Sequence, residues 1–320
     1  MLTRRQFLGS AATAGLAAPP AAQIAITIDL EMARNYPTWD QTHWDYEKGN
    51  LDDAAKGYAV EAARRVKALG GVIHFFVVGR VFEQEKVDWL EEIAALGHPV
   101  GNHTYDHVNL KATQPVELQP RFRRAPWLIA GKTALQVIDE NIRMTSEAMR
   151  VRLGRGPAGF RAPGGYPNGI ADRAEVQKIL LDQGFRWAST KYVQHPTGVP
   201  GYDPHCRGGR REPSRQVLDA ILAAQDQSQP FTYPSGLLEI PMCPISDLIA
   251  FRTAHWTLES FVKALGEIVT RAIDRRMTFV FLGHPSCLVV EDPEFRAIER
   301  MAHLARTVDL DTIARNAGRS

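Results

Sequence analysis

Asp29 and Glu31 stand two residues apart at the end of the apolar run 24–30. Side chains alternate along a strand, so both carboxylates point to one face while Leu30 points away. Two such charges side by side are costly unless a cation or a basic partner offsets them. His103 and His107 stand four apart, directly after the short run 99–102. On a single turn of chain they can aim two imidazole nitrogens at one ion. Ten histidines in 320 residues would give about 0.3 such pairs by chance, so spacing alone is weak. Position strengthens the pair, because βα barrels assemble their active sites just past the strands. His43, His74, His98 and His205 have no comparable neighbour and read as structural. Arg161 leaves a further strand and can pair with a carboxylate across a barrel mouth. Pro163-Gly164-Gly165 follows it as a turn whose backbone N–H groups can face an oxyanion. His284, leaving the run 278–282, is a candidate general acid or base. Taken singly, these features also have plain readings: a solvated acidic strand end, a common loop and a structural rim histidine.

The elements that must carry them alternate regularly. Short β-branched or aromatic runs occur at 24–30, 72–78, 99–102, 159–161, 185–189, 237–241, 278–282 and 307–310. Amphipathic stretches lie between them. In 51–69 the apolar face is Ala55, Ala59, Ala62, Ala63, Val66 and Leu69; in 257–275 it is Phe261, Leu265, Ile268, Val269 and Ala272. Gly70, Gly97 and Gly184 stand where helix C-terminal caps belong. Repeated β-then-α units imply parallel strands with crossover helices. The expected fold is α/β, a distorted (β/α) barrel of seven to eight parallel strands. No composition break divides 23–320, so a single domain is expected. Connections of unusual length, 109–131 and 191–212, are of the kind that shapes a binding site.

With these pieces in order the chain resembles the polysaccharide deacetylases, carbohydrate esterase family 4. The likeness rests on an Asp-bearing first strand, His103-Thr104-x-x-His107, Arg161-x-Pro163 and Leu282-x-His284. Phe75-Phe76-Val77-Val78-Gly79 and the stretch from Gly97 to His103 support it, and it extends over about 23–315. The resemblance implies one divalent metal ion, of Zn²⁺ type, held by His103 and His107. It makes Asp29 the catalytic base, Arg161 the residue that orients it and His284 the general acid. Leu282 and Trp187 would line the substrate pocket, Trp187 near the acetyl methyl, and the Gly164 N–H would face the oxyanion. Two departures stand out. Position 30 is Leu where most of the family has the metal-binding Asp, and the shared face of Asp29 and Glu31 makes Glu31 the expected third ligand. The aspartate that usually tunes the histidine acid is not evident in the stretch 186–190.

The N-terminus carries a different signal. Thr3-Arg4-Arg5-Gln6-Phe7-Leu8, a small-residue apolar run and Pro19-Pro20-Ala21-Ala22 read as a twin-arginine-type signal peptide over 1–22. Residues 23–320 are then the catalytic domain, exported by the twin-arginine machinery to the periplasm or beyond. Arg4 and Arg5 account for the whole excess of 38 basic over 36 acidic residues, leaving a neutral remainder with no electrostatic case for nucleic acid. No apolar stretch is long enough to span a membrane. Cys206, Cys243 and Cys287 fit no metal-binding spacing and read as three buried small residues, although export permits one disulfide.

The expected substrate is an acetylated glycan losing N-acetyl groups. A rim loop holding Tyr36, Trp39, Trp44 and Tyr46 suits sugar stacking as well as it suits packing on itself. Basic runs at Arg121, Arg123, Arg124 and at Arg207, Arg210, Arg211 raise an anionic substrate as an expectation. Two rival classes remain: a small-molecule amide or cyclic-imide hydrolase on the same barrel, and a carbohydrate-binding protein without catalysis.

Overall fold

The computed structural model describes residues 21–38, 40, 48–195 and 209–318. Residues 1–20 of the expected signal peptide, together with Trp39, His43, Trp44, Tyr46, His205, Cys206 and Arg207, lie outside the described residues. Eight strands form one curled sheet: β1 (Gln23–Leu30), β2 (Ile73–Val77), β3 (Val100–Asn102), β4 (Phe160–Tyr166), β5 (Trp187–Lys191), β6 (Phe231–Thr232), β7 (Leu238–Glu239) and β8 (Thr278–Gly283). Their order is β6-β7-β5-β4-β3-β2-β1-β8. Neighbours run parallel except β6 and β7, an antiparallel hairpin that the sequence reading missed. A hydrogen bond from Cys243 N–H to the Val280 carbonyl, 2.7 Å, draws the end beyond β7 towards β8. The expected α/β barrel is therefore present as a single, incompletely closed domain.

Seven of the eight expected runs form strands; the last, 307–310, does not. Val308 N–H bonds to the Ile24 carbonyl at 2.9 Å, and the chain then enters the helix Leu310–Ala317. Asp309 stops the strand: its side chain caps Thr312 N–H at 2.6 Å, which favours helix at once. The long connection 109–131 is also less irregular than expected, holding short helices at Pro115–Glu117, Pro120–Arg124 and Pro126–Ile129. Each begins with proline, which tolerates the first turn of a helix because its missing N–H has no partner there.

β1 shows how the pattern positions chemistry. Ile24, Ile26, Ile28 and Leu30 pack outward in the main hydrophobic cluster. Ala25, Thr27 and Asp29 alternate with them and face the barrel axis. The helix Asp53–Ala68, capped by Asp52, buries Ala55, Ala59, Ala62, Ala63 and Val66 in that cluster; Leu69 lies past its end and is exposed. The helix Leu258–Asp274, capped by Thr257, buries all five residues expected on its face.

The lower end of the barrel is plugged dry by Ala25, Phe76, Trp187, Ile240, Val280, Leu310 and Ile313. His74, fully buried, stacks on Phe76 with ring centroids 4.7 Å apart and meets Trp187 edge-on. Its Nε2–H donates to the Ala158 carbonyl at 2.7 Å, and its Nδ1 accepts the Leu310 N–H at 3.3 Å. Only the neutral ring can do both, and burial pulls its pKa down to about 4. Between about pH 6.5 and 4 the unfolded chain therefore binds a proton that the folded chain refuses, and stability is lost as pH falls. The expected loss from this one group is roughly 3 kcal/mol, and the C-terminal helix should loosen first. Urea midpoints at pH 7 and pH 4.5 check this, and the decline should be shallower in His74→Gln.

Candidate metal and catalytic site

At the opposite end the strand termini surround a cavity of about 780 Å³. Asp29, Glu31, His103, His107, Gly164, Leu282 and His284 all line it, so seven of the nine expected site residues meet there directly. Arg161 is fully buried beneath its floor. Trp187 is the exception and is a correction. Its indole packs in the lower plug, donating to Asp311 Oδ1 at 2.7 Å, with its side chain against Gly159. It opens β5 rather than ending it, so it sits one barrel layer too low to meet an acetyl group.

Asp29 is held from below. Arg161 Nη1 donates to its Oδ1 at 3.3 Å, and Nη2 donates to Thr27 Oγ1 at 2.9 Å. The guanidinium lies 4.6 Å above the Phe76 ring centroid, which fixes its plane. Asp29 Oδ2 is thereby turned towards the cavity, 3.7 Å from His103 Nε2. Glu31 follows in a tight turn in which its N–H bonds back to the Asp29 carbonyl at 3.0 Å. This turn, beyond the last strand residue, brings the second carboxylate over the first.

The loop after β3 is not a helical turn as the histidine spacing suggested. Thr104 and His107 both adopt left-handed backbone, at φ 58° and 57°. Asn102 Oδ1 accepts the Thr104 N–H, Thr104 Oγ1 accepts the Val108 N–H and Asn141 Oδ1 accepts the Asp106 N–H. These bonds offset backbone strain of order 1–3 kcal/mol per residue. The rings end with centroids 5.0 Å apart.

His103 Nδ1 lies 3.0 Å from the Arg161 carbonyl, which can only accept; the ring proton therefore sits on Nδ1, and Nε2 carries a lone pair. That Nε2 is buried without a hydrogen-bond partner, and Glu31 Oε2, equally buried, has the two imidazoles beside it. Donor atoms of Glu31, His103 and His107 lie within 4.8 Å of one another. Nε2 of His103 and of His107 stand 3.5 and 2.7 Å from Glu31 Oε2. Tetrahedral ligands about 2.0–2.1 Å from a zinc-sized ion are about 3.3 Å apart, so the set fits one ion with little movement. Protonation agrees. Burial would raise the Glu31 carboxyl, but His107 and the Lys48 ammonium hold it well below the usual carboxylate range. Burial pulls the His107 imidazole down to about 3. An anionic carboxylate beside a neutral imidazole is what a divalent cation requires.

Two contributors were invisible in the motif. Lys48, buried, forms an ion pair with Glu31 Oε1 and is brought there by a Met32 N–H bond to its carbonyl. Asp247, fully buried, accepts the His284 backbone N–H at 2.6 Å and faces His284 Nδ1 at 2.9 Å. It supplies the missing partner of the histidine from the stretch after β7 rather than from 186–190. Burial alone would lower the His284 pKa; Asp247, its hydrogen bond, Glu31 and Asp29 outweigh this and raise it. An acidic residue just past the strand run 237–241, on the rim side, was the available signal.

Other expectations fall away from the cavity. Tyr36 is buried and donates to Glu291, so it offers no sugar platform. Arg121 pairs with Asp106 and Arg210 with Glu291. The cations that do line the cavity are Arg34, Lys48 and Arg252. Cys243 and Cys287 are buried free thiols.

Residues 50–181 match the model of the polysaccharide deacetylase family. That segment contains His103, His107 and Arg161; Asp29, Glu31, Asp247 and His284 lie outside it and join it through the pairing of β1 with β2 and β8. No curated protein sequence matches the chain. Solved structures are similar in fold. A protein from Pseudomonas aeruginosa PAO1 assigned as a polysaccharide deacetylase shares 14% identity at a TM-score of 0.61, over 94% of this chain and 95% of that one. One from Mycobacterium smegmatis, also assigned as a polysaccharide deacetylase, shares 16% at 0.57 over 94% and 92%. Puue allantoinase shares 14% at 0.58 over 97% of each chain.

If His284 donates a proton in the reaction, activity falls as pH rises through its raised pKa. Asp247→Asn removes the anion that raises it, so the alkaline limb of kcat/KM should move to lower pH. Activity at neutral pH should drop roughly 10²-fold. Asp29→Asn should lower activity while moving that limb less than Asp247→Asn does, because Asp29 contributes least of these anions to the raised pKa; pH profiles of both variants check the assignment.

Proposed function

We propose that this chain is a metal-dependent hydrolase that removes N-acetyl groups from an acetylated polysaccharide. One observation carries the reading. A two-histidine, one-carboxylate set whose donor atoms converge, with His103 Nε2 buried and unpartnered, shares a cavity with a held base, Asp29–Arg161, and a held acid, His284–Asp247. The polysaccharide deacetylase match over 50–181 supports the same reaction class.

Glu31, His103 and His107 would hold a divalent ion, which would supply Lewis acidity to the attacking water and the amide carbonyl. Asp29 Oδ2 accepts the proton of the attacking water, while Arg161 fixes Oδ1 and stabilises the anion beforehand. Gly164 lies where β4 leaves register with β5, between Arg161 and Tyr166, so its N–H stands outside that ladder and can serve the developing oxyanion. Leu282 gives the acetyl methyl an apolar wall. His284 keeps its Nδ1 proton against Asp247 and delivers the Nε2 proton to the departing nitrogen. Release of a protonatable amine rather than an alcohol suits an acid whose pKa is raised.

The second reading, hydrolysis of a small cyclic amide, is favoured by the fold shared with an allantoinase over 97% of both chains. A cavity of about 780 Å³ also suits a single small molecule. A binder without catalysis would have no need of both a metal set and an acid–base pair. Export by the twin-arginine machinery belongs to the same proposal and rests on Arg4, Arg5 and the apolar run behind them. Among the described residues no helix is long and apolar enough to cross a membrane.

Acetate release from a panel of acetylated glycans, with a cyclic-imide assay alongside, separates these readings. Zinc-loaded protein should release acetate, chelator-stripped protein should not, and metal should restore turnover. Asp29→Asn and His284→Ala should each lose about 10²–10⁴-fold in kcat. Imide cleavage without acetate release would install the second reading; neither activity would leave the binder.

A further inference from the structure

The three cations on the cavity wall differ in what they do. Lys48 is taken by Glu31. Arg252, half-buried, lines the cavity, and among the described residues its side chain makes one hydrogen bond, from Nη1 to the Arg34 carbonyl at 3.5 Å. Among the described residues no carboxylate pairs with it. Like charges gathered on one wall are unfavourable without an anion between them and solvent. The two carboxylates of the cavity cannot serve, since Asp29 is held by Arg161 and Glu31 by Lys48.

The segment that bears Arg252 is itself tied to the reaction centre. It is a π-helix, Leu248–Thr253, begun by Asp247, whose carboxylate accepts the Leu248 N–H at 2.7 Å while also holding His284. Such widened turns recur at functional sites because they re-aim side chains that an α-helix would direct elsewhere. The same rigid turn therefore fixes the proposed proton donor and presents a guanidinium to the cavity. A guanidinium offers two parallel N–H donors, matched to the two oxygens of a carboxylate.

We propose that Arg252 forms a carboxylate-binding subsite beside the reaction centre, so that the favoured substrate is an N-acetylated saccharide bearing a carboxylate near the amide. This rests on the hydrolase reading and adds the substrate class to it. Of the basic runs that raised an anionic substrate in the sequence, Arg121 and Arg210 are paired elsewhere; the specificity lies on this different arginine.

The test compares two N-acetylated oligosaccharides identical except that one carries a free uronic carboxylate and the other its methyl ester. The zinc-loaded wild type should favour the acid by roughly 10- to 100-fold in kcat/KM, mainly through KM. Arg252→Gln should bring that ratio close to one, and Arg252→Lys should keep an intermediate preference. A wild-type ratio near one, or an Arg252→Gln variant that keeps the wild-type preference, overturns the subsite while leaving the hydrolase reading intact. If neither amide is cleaved, the hydrolase reading fails, and calorimetric binding of the same pair to wild type and Arg252→Gln decides the subsite. Tighter binding of the acid that depends on Arg252 upholds it; equal binding of acid and ester overturns it.

Discussion

Two carboxylates brought together at the end of one strand are the constraint from which the rest of the site follows. Asp29 and Glu31 are 3% and 2% exposed, and neither can remain charged in such a place alone. Each has its own cation. Arg161 reaches Asp29 from across the barrel, and Lys48 reaches Glu31 from the loop that follows it. Removing one member of such a pair strands a buried charge and typically costs about 3–5 kcal/mol. The same arrangement leaves one oxygen of each carboxylate directed into the cavity, so the bonds that keep the fold also set the chemistry.

The barrel separates these demands along its axis. Below Arg161 the interior is filled by Phe76, Trp187 and the C-terminal helix, with His74 held neutral among them. Above it the strand ends diverge, and polar groups face the cavity. Arg161 is the boundary: its guanidinium rests on the Phe76 ring and points its N–H groups upward to Asp29 and Thr27. An apolar plug on one side lowers the local dielectric around this ion pair, which strengthens the attraction within it.

Much of this was readable in the order of residues. Strict alternation in β1 placed Asp29 on the axis face, and strand-then-motif order put His103, His107, Arg161 and His284 on one rim. What escaped has physical reasons. Asp247 and Lys48 act through tertiary contact from stretches with no local pattern, one after β7 and one in a rim loop. The histidine pair converges through two left-handed residues held by Asn102 and Asn141, a geometry no spacing rule contains. Trp187 was misplaced because it opens its strand, and one step along a strand changes both face and layer. The run 307–310 has strand composition, yet Asp309 caps a helix there.

The proposed reaction requires that Glu31, His103 and His107 converge on one divalent cation. Calorimetric titration of chelator-stripped protein with Zn²⁺ tests it most directly, with Glu31→Gln beside the wild type. The account predicts saturation at one ion per chain for the wild type and affinity weakened about 100-fold or more in the variant. No saturable binding by the wild type, or the same affinity in both proteins, would contradict it.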